Sequence, residues 1–271
     1  MLPEALKSLT LGYIFSLCYV SVASTTTDPN PLFLQLTNCT IAATNVDAWG
    51  LRLQLADPPQ FVCAAPSTVV NSTLVINSGF CQTTSNLTLA QCESLCGSTF
   101  NVTSAGPSYV SSSASAILAD NEVWSQISPD PLLAGTTELQ LPNNKLSKYP
   151  IGLITGGNHQ NVGHFGLAND SDFLQSALCN GLIPANGFGL NSGSQSVLKP
   201  RGGGLVLGGY DLSSVGGAFY NYSTTATGPS KRECPLQVII TGLTLRFPLA
   251  QGSKDVMLRS TGDQVLACIE P

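Results

Sequence analysis

Short apolar runs, each closed within a few residues by Gly, Pro, Asn or Ser, recur along almost the whole chain, and this punctuation leaves little room for anything but β-structure. The clearest run is Leu51-Arg52-Leu53-Gln54-Leu55, where apolar and polar residues alternate with the period of two that a half-buried strand needs. Asp57-Pro58-Pro59 then breaks it. Further strands are expected over residues 72–76, 137–141, 151–155, 204–207, 237–241 and 243–247. Many short strands with frequent turn residues predict an all-β fold of sandwich or barrel type. One helix is expected. Asp170 or Ser171 can cap it, Phe173, Leu174, Ala177 and Leu178 form its apolar stripe, and Gly181 followed by Pro184 stops it. Residues 104–115, rich in Ser, Ala and Gly without a period, read as a loop or a flexible strand edge.

The N-terminus reads as a secretory leader over residues 1–24. Lys7 supplies the basic region, residues 9–22 the apolar region, and Ala23, Ser24 and Thr25 the small residues around a cleavage point after Ala23 or Ser24. The apolar run is shorter than the roughly 20 residues a membrane-spanning helix requires. An uncleaved anchor is the competing reading. Cleavage would remove Cys18 and leave Cys39, Cys63, Cys81, Cys92, Cys96, Cys179, Cys234 and Cys268, an even set that favours disulfides in an exported chain. Cys92 and Cys96 have half of a zinc spacing, but the chain's two histidines, His159 and His164, lie far off in sequence, so no metal is expected. Six glycosylation sequons point to the same compartment, at Asn38, Asn71, Asn86, Asn101, Asn169 and Asn221.

Charged residues are only 10% of the chain and the net charge is -5, so the basic footprint that nucleic-acid binding needs is missing. Gly202-Gly203-Gly204 and Gly208-Gly209 could suggest a loop that cradles phosphate, which requires a helix N-terminus immediately after it. Tyr210-Asp211 leads instead into another turn-rich stretch. These glycines read as tight β turns, and no cofactor is expected.

Three stretches, taken in order, resemble the pepsin-type aspartic peptidases, particularly their divergent fungal secreted members. Asp57-Pro58-Pro59-Gln60 followed by Asn71-Ser72-Thr73-Leu74-Val75-Ile76 resembles the family's first strand turn and the strand after its first catalytic motif. Gly163-His164-Phe165-Gly166-Leu167-Ala168, with the expected helix and Gly181-Leu182-Ile183-Pro184 behind it, resembles the family's G-I-x-G-L-x segment and the helix that follows. Gly204-Leu205-Val206-Leu207-Gly208-Gly209-Tyr210-Asp211 resembles its G-x-L-x-x-G-G-x-D hairpin. The resemblance implies a pepsin-like lobe over residues 25–200 with one short helix. Residues 201–271 are then an interlobe hairpin and the start of an incomplete second lobe. It also implies a Cys234–Cys268 disulfide, since the family often ties this region.

Aspartic peptidases act through two carboxylates that share a proton, each carried on a D-T/S-G loop. No such tripeptide occurs here. Counting from Gln60 puts Ser67 at the first acid, and counting back from Ser72-Thr73-Leu74 puts Thr68 there. Neither can ionise as a carboxylate. A hydroxyl nucleophile would need a base and an orienting group, and neither His159 nor His164 sits in a nucleophile motif. The family's flap should fall within residues 116–138, where Trp124 is the only aromatic. Ala267-Cys268-Ile269-Glu270-Pro271 resembles the entry to the second motif, with Glu270 at the acid and, as the competing reading, Glu270 as a surface carboxylate. The expectation is therefore a secreted pepsin-like homologue without proteolytic activity, a pseudo-peptidase or inhibitor-type binding protein with a peptide or protein ligand in its groove. A fragment of an active acid endopeptidase is the alternative, and a non-functional truncated product is a third reading.

Overall fold

A computed structural model describes residues 29–41, 46–79, 88, 90–91, 99–112, 132–155, 163–168, 170–194, 201–215, 217–218, 237–240, 243–248, 253–259 and 265–268. The fold is all-β. Strands β1 (Leu32–Ile41), β2 (Val46–Leu55), β3 (Gln60–Ser67), β4 (Thr73–Ile76), β5 (Val110–Ser111), β6 (Leu132–Gln140), β7 (Lys145–Ile154), β8 (Gly163–Gly166), β9 (Phe188–Asn191) and β10 (Gly203–Leu207) form one sheet in the order β5-β6-β7-β4-β8-β3-β2-β1-β10-β9. Two further antiparallel pairs join β11 (Gln237–Ile240) to β14 (Val265–Cys268) and β12 (Leu243–Pro248) to β13 (Ser253–Arg259). Helix α1 (Val102–Ala105) is a single turn and α2 (Asp172–Cys179) is the longer one expected from the Ser171 cap. No helix among the described residues is long and apolar enough to cross a membrane.

The sheet closes on itself. One edge of β2 carries β1 as far as Leu51, opposite Leu36, and then carries β6 at Gln54 and Leu55, opposite Gln140 and Leu139. The strands β2-β3-β8-β4-β7-β6 therefore form a ring, with β1, β10 and β9 extending from its corner. Inside lie Leu53, Leu55, Val62, Val75, Leu139, Tyr149, Ile151, Leu153 and Phe165, all buried. Closure explains why the alternation so clear in β2 disappears in β4, where all four side chains are buried.

Several boundaries differ from expectation for identifiable reasons. The strand expected at 137–141 runs from Leu132 to Gln140, because a register shift between Thr137 and Leu139 interrupts its pattern without ending it. The stretch expected as a loop or strand edge holds the end of α1, a 3-10 turn at Gly106–Ser108 and β5, which lies at one end of the sheet order. Asn101 nucleates α1, its side chain accepting the Ser104 N–H at 3.1 Å.

Candidate functional site

The loop between β3 and β4 is the place to which the resemblance assigns the first catalytic acid. These two strands are consecutive in sequence but not adjacent in space. Strand β8 lies between them, parallel to β3 with Ser67 opposite Gly166, and antiparallel to β4 with Leu74 opposite His164. The chain from Ser67 to Ser72 thus crosses over the end of β8. Such a crossing demands close backbone approach, and the sequence of β8 supplies it. A Cβ on Gly166 would strike the Asn71 carbonyl, and one on Gly163 would strike the Leu74 carbonyl.

Hydrogen bonds clamp the crossing from the side of β8 and α2. The Leu167 N–H donates to the Ser67 carbonyl at 2.7 Å, the Ala168 N–H to the Val70 carbonyl at 3.1 Å and the Asp172 N–H to the Asn71 carbonyl at 3.2 Å. Ser171 works in two directions, donating through Oγ to the Gly166 carbonyl at 2.6 Å and accepting the Leu174 N–H at 3.2 Å. It caps α2 and ties it to β8 at once. The Ser72 hydroxyl donates to Asp172 Oδ2 at 2.5 Å. Next to it, Thr73 Oγ1 and the Tyr149 hydroxyl share a buried hydrogen bond of 2.5 Å. Burial pushes the Tyr149 phenol well up from its ordinary value, the Thr73 hydrogen bond opposes that, and the Asp172 charge adds to it.

The chemistry open to this loop follows. Ser67 and Thr68 are 2% and 1% exposed, and Ser67 Oγ accepts the Val69 N–H at 3.3 Å, closing a local turn. Neither is presented to solvent as a nucleophile. His164 stands at the level of Ala65 and Leu74, and Gly166 is the residue beside Ser67. The carboxylate the loop does meet is Asp172, delivered by the first turn of α2. Sequence reasoning passed over Asp172, although a carboxylate just after an N-cap serine is a recognisable helix start. Two surface grooves lie elsewhere. One of about 520 Å3 has a glycine floor flanked by Phe33 and Tyr210, and one of about 640 Å3 lies between β1, β2 and the end of β6. Ser67 and Thr68 line neither.

Of the other predicted residues, Asn38 is exposed on β1, Asn71 is half-buried in the crossing and Asn101 caps α1. Asn86, Asn169, Asn221, His159, Trp124, Cys234 and Glu270 lie outside the described residues, as do the leader and residues 116–131 of the expected flap. Cys268 is in β14 opposite Gln237. A disulfide joins Cys39 to Cys63 with 6.0 Å between their Cα atoms, and Cys179 is disulfide-bonded as well. Asp211 follows the glycine pair and caps a 3-10 turn, Leu212–Ser214, by accepting the Ser213 N–H at 2.9 Å. A single 3-10 turn is not the α-helix a phosphate loop requires. No family model matches this chain, and no curated protein aligns with it significantly.

Proposed function

We propose that this chain is an exported, glycosylated homologue of the pepsin-type aspartic peptidases that has lost proteolysis and acts by binding. The observation that carries the reading is the crossing itself. Two of the three stretches picked out by their likeness to that family meet there, residues 71–76 and residues 163–168 with the helix behind them, while the third, residues 204–211, begins on β10 beside β1 and β9. A loop held this tightly suits the placement of a catalytic acid. The residues at its start are hydroxyl-bearing Ser67 and Thr68, both buried, and Val69-Val70 replaces the small residues that such a loop carries. Without the first carboxylate the shared proton has no second owner, and losing one member of a concerted unit removes most of the rate.

The test is hydrolysis of unfolded casein by the purified secreted protein between pH 3 and 6, with and without a transition-state inhibitor of aspartic peptidases. No inhibitor-sensitive turnover is expected, and none is expected from Ser67→Asp or Thr68→Asp. Inhibitor-sensitive cleavage by the unaltered chain would overturn the reading. Export and glycosylation are checked separately. N-terminal sequencing should begin at Ser24 or Thr25, and endoglycosidase should increase gel mobility. A chain that starts at Met1 and is indifferent to the enzyme would refute both.

A further inference from the structure

Where the ring closes, β2 exchanges one neighbour for another and a split opens. Strand β1 pairs with β2 only from Leu36 onward, while from Leu32 to Leu36 it pairs with β10 on its other edge. Between Leu32 and Gln35, the edge of β1 that faces β2 therefore meets no strand among the described residues. Strand β2 turns the same side to β6 from Gln54. The groove of about 640 Å3 occupies this split. That volume is within the range of a ligand site. An unpaired stretch of strand backbone is a template for one more strand.

The side chains along the split are chemically uneven. Phe33 and Phe61 are 55% and 47% exposed. The Arg52 guanidinium lies 4.4 Å from the centre of the Phe61 ring, a stacking that restrains it while the side chain stays exposed. Arg52 has no acidic partner among the described residues, where the ion pair is Lys145 with Glu138. Gln35, Gln54 and Gln140 place amides along the same groove. A lone cation on an aromatic shelf, in a protein of net charge -5, complements a carboxylate.

We propose that the split receives an extended, acid-bearing peptide segment of another protein, added as a strand to the open edge of β1 with a carboxylate on Arg52. The free backbone selects an extended chain, Arg52 selects an acidic residue in it, and Phe33 and Phe61 cover its apolar side chains. This site is separate from the loop at Ser67 and does not depend on the peptidase resemblance, so hydrolysis results leave it untouched.

The experiment selects a phage-displayed random dodecapeptide library against the secreted protein and then measures synthetic copies of the enriched peptides by fluorescence polarisation. Acidic peptides rich in β-branched residues should be enriched. Each should bind at least tenfold more weakly to Arg52→Gln and to Phe61→Ala, with Arg52→Lys keeping part of the affinity. N-methylation at alternate residues of the peptide should abolish binding, which a contact made only by side chains would survive. Unchanged melting temperatures show that the variants are folded. Failure to enrich any peptide would overturn the proposal, as would binding indifferent to Arg52→Gln or to N-methylation. Sedimentation of the unliganded protein covers the remaining occupant, since a dimer dissolved by Arg52→Gln would assign the split to a second copy and also overturn it.

Discussion

Gly166 has no side chain because its strand runs directly beneath the Ser67–Ser72 crossing, and the atoms above it are backbone, which cannot swing aside. Gly166→Ala should cost about 1–3 kcal/mol, the range of overpacking a tight core. Gly187→Ala, with open space around the added carbon, should stay within about 1 kcal/mol of the parent, and chemical denaturation compares the two. Tyr149 makes a second residue-scale case. Tyr149→Phe strands the Thr73 hydroxyl in the core and should cost about 1–3 kcal/mol, whereas adding Thr73→Val should recover part of the loss. Its titration has a definite sign. The folded state raises the phenol above its ordinary value of 10.0, so the stability this contributes is complete below that pH and is lost as pH rises beyond it. The loss runs at about 1.4 kcal/mol per pH unit. Alkaline unfolding curves should be less steep in Tyr149→Phe by about one proton.

Strand β2 shows what pairs of elements ask of a single position. The Cys39–Cys63 disulfide joins β1 to β3 across β2, and its sulfur passes over Gly50, where a Cβ would sit 2.9 Å from Cys63 Sγ. Replacing both cysteines with Ala should cost about 3 kcal/mol, from the loop entropy the bridge removes, and Gly50→Ala should lower the melting temperature even with the bridge intact. Which elements could be read beforehand follows from how they are buried. Residues 51–55 were legible because one face is wet, and α2 was legible because Ser171 caps a clear apolar stripe. Strand β3 was not, because Val62, Cys63 and Ala64 are all buried and erase the alternation, and Ala64, Ala65 and Pro66 stand where the equally buried β4 has β-branched residues. Strand β8 was not read as a strand because two of its four residues are glycine, yet those glycines were the visible trace of the crossing. That a strand from residues 163–166 separates β3 from β4 is a long-range fact for which no local pattern exists. The same holds for the split beside β1, since nothing around Leu32 announces that β2 will leave it for β6.

At the scale of the whole molecule, ring closure rests on a short contact between β2 and β6, Gln54 with Gln140 and Leu55 with Leu139, and both leucines are fully buried. Leu139→Ala should cost about 2–5 kcal/mol, lowering the urea midpoint while leaving the slope of the transition unchanged. The crossing also imposes an order of events. Strand β3 is made about a hundred residues before the strand it must lie beside, and contacts so distant in sequence form slowly. In the interval β3 and β4, joined by a short connection, are free to pair with each other directly, which would shut the slot that β8 needs. A nascent chain stopped before Gly163 holds both strand edges of the β8 slot bare and without their native partner, so the hazard of aggregation at this slot is concentrated in the time taken to synthesise residues 77–162.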